Sequence, residues 1–464
     1  MLVVKFGGTS VGSVERFLEV ARIIETLEDP ECVVVVSAMS GTTNALIRGA
    51  RLAAAGQREQ YRAIQRELLD KHLHTAQELL GDSPEYPPVQ EYIIKQLREY
   101  GQLCASIATL GELTMRGNDA VASLGEELSS RILAALLRKR GHQAEAISST
   151  LLVRTDDHYG AASPDMEATR ELVHQKLRPL LARGVLPVVT GYIGATAEGV
   201  TTTLGRGGSD YSAAILGACL DADEVWIWTD VNGILTADPK LVPEAHTLPE
   251  LSYREAEELA YFGADVLHPK TLAPLAERGI PLRILNSFVP SHPGTRIVAE
   301  PSSERLVLPA IISTEGLSLI QVSGNGQGWS LNLASRALRC LAESGVDVLM
   351  YSQSFAERGL NLIVRRQDQD HCIRLLEGEF AQELRLGLLS RIGVQEEVAT
   401  ISVVGIPDPQ KEEPIAAQAF AALGKLGLRV ISVAQPASAY SVSFVIPERE
   451  VARVVPFIHS ELGL

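Results

Sequence analysis

Two glycine-rich segments are the strongest candidates for chemistry in this sequence. Residues 4–12 read Val-Lys-Phe-Gly-Gly-Thr-Ser-Val-Gly, and residues 201–211 read Thr-Thr-Thr-Leu-Gly-Arg-Gly-Gly-Ser-Asp-Tyr. Each pattern predicts a strand, a tight turn and a helix, an arrangement that presents backbone N–H groups and the positive end of a helix to an anion. Because they also carry Lys5, Arg206 and Asp210, the two segments indicate a site where a phosphate donor and an acceptor meet.

Each of these charged side chains also has a simpler interpretation. Lys5 can act as a point charge on a phosphoryl group, or it can be a solvated lysine at a strand end. Arg206 can bind a carboxylate bidentately, or lie on the surface of a loop. Asp210 can orient Lys5 or a substrate ammonium, or only stabilise the start of a helix. Residues 226–233 predict a strand and a turn that would suit a purine and its ribose, or an ordinary turn.

Composition narrows the class of protein. A chain of 464 residues with 46% hydrophobic content should form two or three packed domains. Its net charge of −15 disfavours nucleic-acid binding. The five cysteines are widely separated and form no C-x-x-C pair, which indicates reduced thiols in a cytoplasmic protein without a zinc site. We predict no secretory leader and no membrane-spanning segment.

The elements that would position these residues alternate between strand and helix up to residue 298. This pattern predicts an α/β three-layer sandwich with a mainly parallel sheet. Residues 32–37, Cys-Val-Val-Val-Val-Ser, have the continuous apolar character of a strand buried on both faces. Ligands of such sheets bind beyond the carboxyl ends of the strands, where both glycine-rich turns are expected.

A proline-containing linker is predicted over residues 290–309, and the pattern changes beyond it. Two βαββαβ-like units follow, offset by about 82 positions, which indicates a duplicated α+β module of ferredoxin-like type. We therefore predict a catalytic domain at 1–298 and two small modules at 311–390 and 397–464.

The sequence resembles the aspartate kinases of the amino-acid kinase family. The resemblance is carried by Lys-Phe-Gly-Gly-Thr-Ser at 5–10, the second glycine segment at 202–211, Trp-Thr-Asp-Val at 228–231 and Phe-Gly-Ala-Asp-Val-Leu-His-Pro at 262–269. It extends into the tail, which is similar to tandem ACT domains, and it is greatest to the kinase half of bifunctional aspartokinase–homoserine dehydrogenases. Since no second dinucleotide-binding unit follows residue 464, we expect only the kinase activity.

The resemblance implies a role for each matching position. Lys5 and Asp210 would be catalytic, Glu126 would pair with the α-ammonium of aspartate, and Arg206 would bind its α-carboxylate. We prefer Glu126 to Glu112, which also follows Leu-Gly, because the residues after Glu126 continue as the expected helix. The residues expected to bind the amino acid are Ser37, Thr43, Glu126, Arg206 and Ser209. The residues expected to bind ATP are Lys5, Phe6, Gly7, Gly8, Thr229, Asp230, Leu235, Lys240, Asp265 and Val266.

Three of these positions depart from the family pattern. Leu235, Lys240 and Asp265 stand where the family usually has tyrosine, arginine and lysine. All three belong to the nucleotide side, and Asp265 reverses a charge near the triphosphate. We therefore expect weaker or altered nucleotide binding.

The implied reaction needs no general base. The side-chain carboxylate of aspartate is ionised at neutral pH and attacks the γ-phosphorus of ATP to give an acyl phosphate. Repulsion between the two anions is the barrier, which Lys5, backbone amides and Mg²⁺ would offset. No site for a resident metal ion is predicted.

The tail is expected to regulate the kinase by binding an amino acid. The segment 323–328, Ser-Gly-Asn-Gly-Gln-Gly, would line an effector crevice at a dimer interface in an ACT-like module. Gln327, Gln353 and Gln435 are the expected contacts. Leu349 stands where lysine-sensitive relatives have aspartate, so the resemblance favours threonine over lysine. We also expect a homodimer or a higher homo-oligomer that forms through these modules. The alternative to regulation is that the modules only dimerise.

Two other functions stay open. The same fold could phosphorylate another carboxylate, such as that of N-acetylglutamate, although Glu126 and the long helical insert disfavour this. The chain could also be a catalytically weak regulatory subunit, as Leu235 and Asp265 would suggest.

Overall fold

The computed structural model describes residues 1–27, 31–261, 267–302, 309–325, 331–354, 358–405, 414–436 and 441–464. Contacts divide the chain into two compact units. The first unit comprises Met1–Ile234, Pro249–Ala256 and Asp265–Ser303. The second unit comprises Leu235–Leu248, Glu257–Ala264 and Glu304–Leu464. The three predicted domain boundaries stay predictions.

Strands and helices largely alternate up to residue 298, as predicted, apart from five consecutive helices between the second and third strands. The strands are β1 Leu2–Phe6, β2 Cys32–Val36, β3 Ala144–Ile147, β4 Leu186–Thr190, β5 Ile193–Ala195, β6 Thr201–Thr203, β7 Glu224–Thr229, β8 Glu250–Ser252, β9 Leu282–Asn286 and β10 Thr295–Val298. The helices are α1 Val14–Glu25, α2 Thr42–Ala54, α3 Arg58–Leu80, α4 Tyr86–Leu110, α5 Met115–Ala122, α6 Leu124–Lys139, α7 Met166–Lys176, α8 Arg178–Leu181, α9 Gly208–Leu220, α10 Tyr253–Tyr261 and α11 Pro269–Ala276.

Eight of these strands form one sheet in the order β3-β4-β2-β1-β7-β9-β10-β8. All described pairs are parallel except β9 with β10, which confirms the α/β class. β1 and β2 are buried on both faces. The linker prediction was wrong at its start, because β10 lies inside it and pairs with β9 and β8.

Side-chain alternation along β1 decides which residue meets which helical layer. Leu2, Val4 and Phe6 belong to the core cluster formed with α1, α2, α3, α4 and α6. Lys5 points to the opposite face of the sheet, where α9 contacts β1. The sheet therefore directs Lys5 toward the helix that follows the second glycine-rich turn.

The second unit contains the remaining described strands and helices. The strands are β11 Ala310–Ser323, β12 Val348–Ser354, β13 Gly359–Arg365, β14 Gly393–Val404, β15 Ser432–Ala434 and β16 Ser441–Pro447. The helices are α12 Leu331–Glu343, α13 Gln369–Glu379, α14 Ala381–Arg385, α15 Ile415–Lys425 and α16 Val451–Glu461.

These six strands form one antiparallel sheet, in the order β12-β13-β11-β14-β16-β15. Residues 317–323 of β11 pair with β13, and residues 317–321 also pair with the first half of β14. Residues 310–314 pair with the second half of β14, which pairs with β16. The duplicated modules are thus present, but they share two long strands, and each module obtains its fourth strand from the other's part of the chain.

No helix within the described ranges is both long and apolar enough to cross a membrane. All five cysteines are free thiols.

Candidate active site

The two glycine-rich segments meet through an ion pair. Lys5, near the end of β1, is buried between β2 and β7, and its Nζ lies 2.5 Å from Oδ1 of Asp210. Asp210 lies in the first turn of α9, where a carboxylate also complements the helix dipole. Both side chains are largely shielded from solvent, with 9% and 15% of their surfaces exposed. The structure therefore brings together the two residues predicted to be catalytic.

The first glycine turn packs closely against the turn after β2. The Gly7 N–H donates to the Trp228 carbonyl at 3.0 Å, and the Ser40 N–H donates to the Gly8 carbonyl at 3.1 Å. A Cβ at Gly8 would lie 2.9 Å from the Ala38 carbonyl oxygen, closer than real Cβ atoms approach. The backbone can follow this path only because Gly8 has no side chain.

Phe6 is a core residue. Its side chain is fully buried and stacks on Trp228 with ring centroids 6.1 Å apart. Its carbonyl accepts from the Ser37 N–H at 3.1 Å. A nucleotide could therefore meet only the backbone at the predicted binding residue Phe6.

Glu126, the residue predicted to pair with the α-ammonium of the amino acid, is a buried carboxylate in the first turn of α6. Its Oε1 accepts from the Ala38 N–H at 3.3 Å, while its Oε2 has no hydrogen-bond partner among the described residues. Burial raises the pKa of Glu126 to about 8, the Ala38 hydrogen bond lowers it, and the neighbouring Glu127 adds a small upward contribution. A buried, half-satisfied carboxylate suits a cationic ligand. Glu112, the alternative, is exposed between α4 and α5.

Ser37 and Thr43 lie around the same turn. The Ser37 carbonyl accepts from Ser129 Oγ at 2.7 Å, which ties the end of β2 to α6. A Cβ at Gly125 would lie 2.7 Å from Ala38 Cβ and 3.6 Å from Thr43 Oγ1. Ser37, Thr43 and Glu126 are thus brought together around Ala38.

Glycine conformations shape the turn that carries Arg206. Gly205 and Gly207 have φ of 80° and 67°, in the left-handed region. A Cβ at Gly207 would lie 2.7 Å from His268 Cβ, and one at Gly191 would lie 2.6 Å from Ser209 Cβ. Arg206 is exposed at this turn and Ser209 is partly buried. The turn is therefore clamped between the end of β4 and the start of α11.

The structure adds site residues that the sequence interpretation missed. Asp119 is fully buried and accepts from the Thr203 N–H at 2.9 Å, Thr203 Oγ1 at 2.8 Å and the Gly160 N–H at 2.8 Å. Tyr192 has a φ of 69°, and a Cβ at Gly208 would lie 2.7 Å from its ring. In the sequence, the feature that could have pointed to Asp119 is its position, as a carboxylate seven residues before Glu126.

Burial raises the pKa of Tyr192, a hydrogen bond with Thr203 lowers it, and the charges of Glu126 and Asp119 raise it further. Burial also lowers the pKa of His268, with Lys270 and Arg206 adding to that shift. Tyr192 thus interacts electrostatically with Glu126 and Asp119, and His268 interacts with Arg206.

Thr229 and Asp230 lie at the carboxyl end of β7, on the same edge of the sheet as Lys5. The Thr229 carbonyl accepts from the N–H and Oγ of Ser287 at 2.9 and 3.0 Å. Ser287 Oγ is 2.7 Å from Ser10 Oγ, which joins this edge to the first glycine segment. Asp230 is exposed.

The remaining predicted contacts are distributed differently. Leu235 and Lys240 belong to the second unit. Asp265, Val266 and Gln327 lie outside the described residues.

In the second unit, β12 and β15 approach through Ser352 Oγ and Ser432 Oγ, 2.8 Å apart. Gln353 follows Ser352, and its Nε2 is buried without a hydrogen-bond partner among the described residues. Gln435 is exposed just after β15.

Within the described residues, no group of three or more His, Cys, Asp or Glu side chains is arranged to hold a metal ion.

Residues 1–286 match the amino acid kinase family, and residues 401–462 match the ACT domain. The chain is 33% identical to the bifunctional aspartokinase/homoserine dehydrogenase of Haemophilus influenzae, with all of this chain and 56% of that protein aligned. It is also 33% identical to the chloroplastic aspartokinase 3 of Arabidopsis thaliana, with 99% of this chain and 81% of that protein aligned. The chain thus spans about half the length of the bifunctional relatives.

Solved structures are likewise similar over the whole chain. E. coli aspartokinase III in complex with aspartate and ADP (R-state) superposes with a TM-score of 0.82 at 30% identity, covering 100% of both chains. The same enzyme in complex with lysine and aspartate (T-state) gives a TM-score of 0.80 at 31% identity, covering 100% of this chain and 99% of that one.

Proposed function

The chain belongs to the amino acid kinase family, and within it to the aspartokinases, and on that premise we propose that it phosphorylates L-aspartate. The reaction transfers the γ-phosphoryl group of ATP to the side-chain carboxylate and gives 4-phospho-L-aspartate, the first step toward lysine, threonine and methionine. The observation that carries this proposal is the Lys5–Asp210 ion pair, because it joins the two anion-binding turns at one edge of the sheet.

The amino acid is held by its α-groups in this proposal. Glu126 receives the α-ammonium, which supplies the donor that its buried Oε2 lacks among the described residues. Arg206 binds the α-carboxylate, and Ser37, Thr43 and Ser209 line the space between. The side-chain carboxylate is then free to face the nucleotide.

Charge neutralisation is the main catalytic effect. The attacking carboxylate needs no general base at neutral pH, so the enzyme must bring an anion to a polyanion. Lys5 carries a buried positive charge that Asp210 orients, and the backbone of the Gly7–Gly8 turn adds fixed dipoles. These groups stabilise the negative charge that spreads over the transferred phosphoryl group.

The nucleotide is proposed to be ATP with Mg²⁺, which enters with the triphosphate. Thr229 and Asp230 are suited to the nucleotide because they lie at the carboxyl end of β7, beside the first glycine turn. Leu235, Lys240, Asp265 and Val266 remain the further predicted contacts. Bound Mg²⁺ would screen the phosphates and help to position them.

A hydroxamate assay with L-aspartate, ATP, Mg²⁺ and hydroxylamine tests this function. We expect the wild type to form the hydroxamate and Lys5→Met to lose about 100-fold or more in kcat. Lys139→Met is the matched control, because that lysine donates to the Leu79 carbonyl at the end of α3, away from both glycine turns. Near-normal turnover of Lys5→Met would refute the proposed role of Lys5.

The same assay separates the alternatives. Hydroxamate from N-acetylglutamate but not from L-aspartate would make the chain a kinase of another carboxylate. If neither compound gives product while an amino acid binds, the chain is a regulatory subunit.

We also propose that the second unit binds an amino-acid effector, L-threonine in preference to L-lysine. The match of residues 401–462 to the ACT domain supports an effector, and the E. coli relative forms a complex with lysine. The unsatisfied amide of Gln353 is the proposed contact, with Gln435 and Gln327. Leu349 cannot balance the charge of a lysine ammonium, which is the reason for favouring threonine.

Titrating both amino acids against kinase activity tests this effector proposal. Gln353→Ala should weaken the threonine response, whereas Gln382→Ala, an exposed site on α14, should not. Flat curves for both amino acids would remove the regulatory claim. We propose a homodimer or a higher homo-oligomer formed through the ACT-like modules, which light scattering would distinguish. We also propose a cytoplasmic location, with which the free thiols are consistent.

A further inference from the structure

We propose that Asp119 is a positioning residue that sets the separation between Glu126 and the turn carrying Arg206. The inference rests on the proposed function, in which these two groups bind the α-ammonium and the α-carboxylate of the substrate. Asp119 itself touches neither substrate nor nucleotide in this proposal. Its role is to join the two segments that carry the substrate-binding groups.

Both oxygens of the Asp119 carboxylate accept hydrogen bonds from distant parts of the chain. Its Oδ2 accepts from the N–H groups of Thr203 and Gly160, at 2.9 and 2.8 Å, and its Oδ1 accepts from Thr203 Oγ1 at 2.8 Å. The side chain is completely buried. A buried carboxylate with three donors is costly to disturb, since a lost bond leaves a polar group unsatisfied.

Its place in the chain makes this network a link between the two substrate groups. The Asp119 carbonyl accepts from the Ser123 N–H at 3.0 Å, where α5 ends and α6 begins, and Glu126 follows in the first turn of α6. Thr203 is the last residue of β6 and precedes Arg206 by three positions. One side chain thus fixes the start of the Glu126 helix to the start of the Arg206 turn.

Tyr192 reinforces the same link from the other side. Its N–H donates to Ser212 Oγ in α9 at 2.9 Å, and its carbonyl accepts from the Leu204 N–H at 2.9 Å. A non-glycine residue at positive φ persists only where its surroundings hold it there. The backbone on both sides of the Arg206 turn is therefore held rigidly, and Asp119 supplies the connection to α6.

The positioning role of Asp119 depends on the geometry of its hydrogen bonds and not on its charge. No lysine or arginine pairs with Asp119 within the described residues, and burial raises the pKa of its carboxyl while its donors lower it. In Asp119→Asn, the amide oxygen can accept both N–H groups and the amide nitrogen can donate to Thr203 Oγ1, whose hydroxyl rotates. Asparagine should therefore preserve the link, and alanine should break it.

The test is a comparison of steady-state kinetics among matched variants. A change in the separation between Glu126 and Arg206 should weaken the binding of aspartate and leave the contacts of the nucleotide unchanged. We therefore expect Asp119→Ala to raise KM for L-aspartate about tenfold or more, with KM for ATP and kcat within about threefold of wild type. Asp119→Asn should restore KM for L-aspartate to within about threefold of wild type.

A helix N-cap elsewhere in the first unit provides the control. Asp165 accepts from the N–H groups of Glu167 and Ala168 at 3.1 and 3.0 Å, so Asp165→Ala also removes a hydrogen-bonded carboxylate. It should lower thermal stability without changing KM for L-aspartate. If Asp119→Ala does not fold, Thr203→Val removes the hydroxyl bonds of Thr203 to Asp119 and Tyr192, keeps the Thr203 N–H bond to Asp119, and should still raise that KM.

Hydrogen exchange gives a readout that does not depend on activity. Peptides covering residues 203–209 should exchange faster in Asp119→Ala or Thr203→Val than in Asp119→Asn. Unchanged KM for L-aspartate in a folded Asp119→Ala, or in Thr203→Val, overturns the inference, as does a failure of Asp119→Asn to restore it. A wild type that neither binds nor phosphorylates L-aspartate refutes the proposed function instead, and the exchange pattern still decides whether Asp119 holds the turn.

Discussion

At the scale of single residues, Glu126 lowers the stability of the folded chain and favours the binding of a cationic group. A carboxylate buried with one oxygen unsatisfied among the described residues destabilises the folded chain, yet the same property prepares it for an ammonium group. Because burial raises the pKa of Glu126 to about 8, the free protein holds much of this group protonated at pH 7. Binding of a cationic α-group then requires the loss of that proton.

Aspartate binding should therefore depend on pH in a predictable direction. We expect KM for L-aspartate to fall as pH rises from 6.5 to about 8 and to level off above it, because only the ionised Glu126 attracts the α-ammonium. The limiting slope is about tenfold per pH unit. Glu126→Gln should raise KM and flatten this profile. A wild-type KM constant over that range would contradict the assignment.

Thermal unfolding without substrate provides an independent control of the same group. The folded state binds the Glu126 proton more tightly than the unfolded state, so its contribution to stability is complete below the ordinary glutamate pKa of 4.5 and is lost as pH rises through about 8. Glu126→Gln removes this loss. It should therefore unfold at a higher temperature than the wild type at pH 8, with a smaller difference at pH 5.

The sequence predicts Lys5, Arg206 and Asp210 because each lies in a local pattern of strand, glycine turn and helix. Asp119 could not be found in this way, because its partner Thr203 is 84 positions away and only the folded chain brings them together. The burial of Glu126 is likewise a property of packing between α6 and the turn after β2. Local chemistry is readable from sequence, while the supporting contacts depend on long-range structure.

At the scale of secondary structure, the second glycine turn combines two constraints that can be separated by substitution. Gly207 has positive φ and lies against His268, whereas Gly184, before β4, has a φ of 71° and open space within 4 Å of the position that a Cβ would take. Both positions disfavour a side chain because of backbone conformation. Only Gly207 also requires space.

Gly207→Ala should therefore cost more than Gly184→Ala. We expect about 1 kcal/mol of unfolding free energy for Gly184→Ala with normal activity. Gly207→Ala should lose roughly 1–2 kcal/mol more, because the new methyl overlaps His268, and its KM for L-aspartate should rise as the Arg206 turn shifts. Chemical denaturation and the hydroxamate assay measure the two effects. Equal losses for both variants would show that close packing at Gly207 is unimportant.

The duplicated modules show where element prediction reaches its limit. Their strands and helices follow from local hydrophobic patterns, and so does their ferredoxin-like order. The sharing of β11 and β14 does not, because β11 is one continuous strand in which residues 310–314 and 317–321 both pair with β14, while residues 317–323 also pair with β13. Strand pairing over such distances is decided by which faces can be buried together, which a local pattern does not encode.

At the scale of the whole molecule, the path of the chain assigns part of the predicted catalytic domain to the second unit. Residues 235–248 leave the first unit after β7 and join the core formed by α15, α16 and their strands. The Ile311 N–H donates to the Thr236 carbonyl at 2.7 Å, and Thr236 Oγ1 lies 3.0 Å from the buried His459 Nε2. Sequence order suggested otherwise, because this segment lies between two strands of the first sheet.

Val242 tests this assignment, because it is fully buried in the second unit's core. Val242→Ala should cost roughly 2 kcal/mol through the lost methyl groups and the cavity they leave. Hydrogen exchange should accelerate in peptides from β14, β16 and α16 while β2 and β4 keep their protection. Val188→Ala, which removes the same atoms from β4 in the first unit, should give the reverse pattern. If Val242→Ala instead accelerates exchange in β2 and β4, residues 235–248 are stabilised by the sheet of the first unit and not by the core of the second unit.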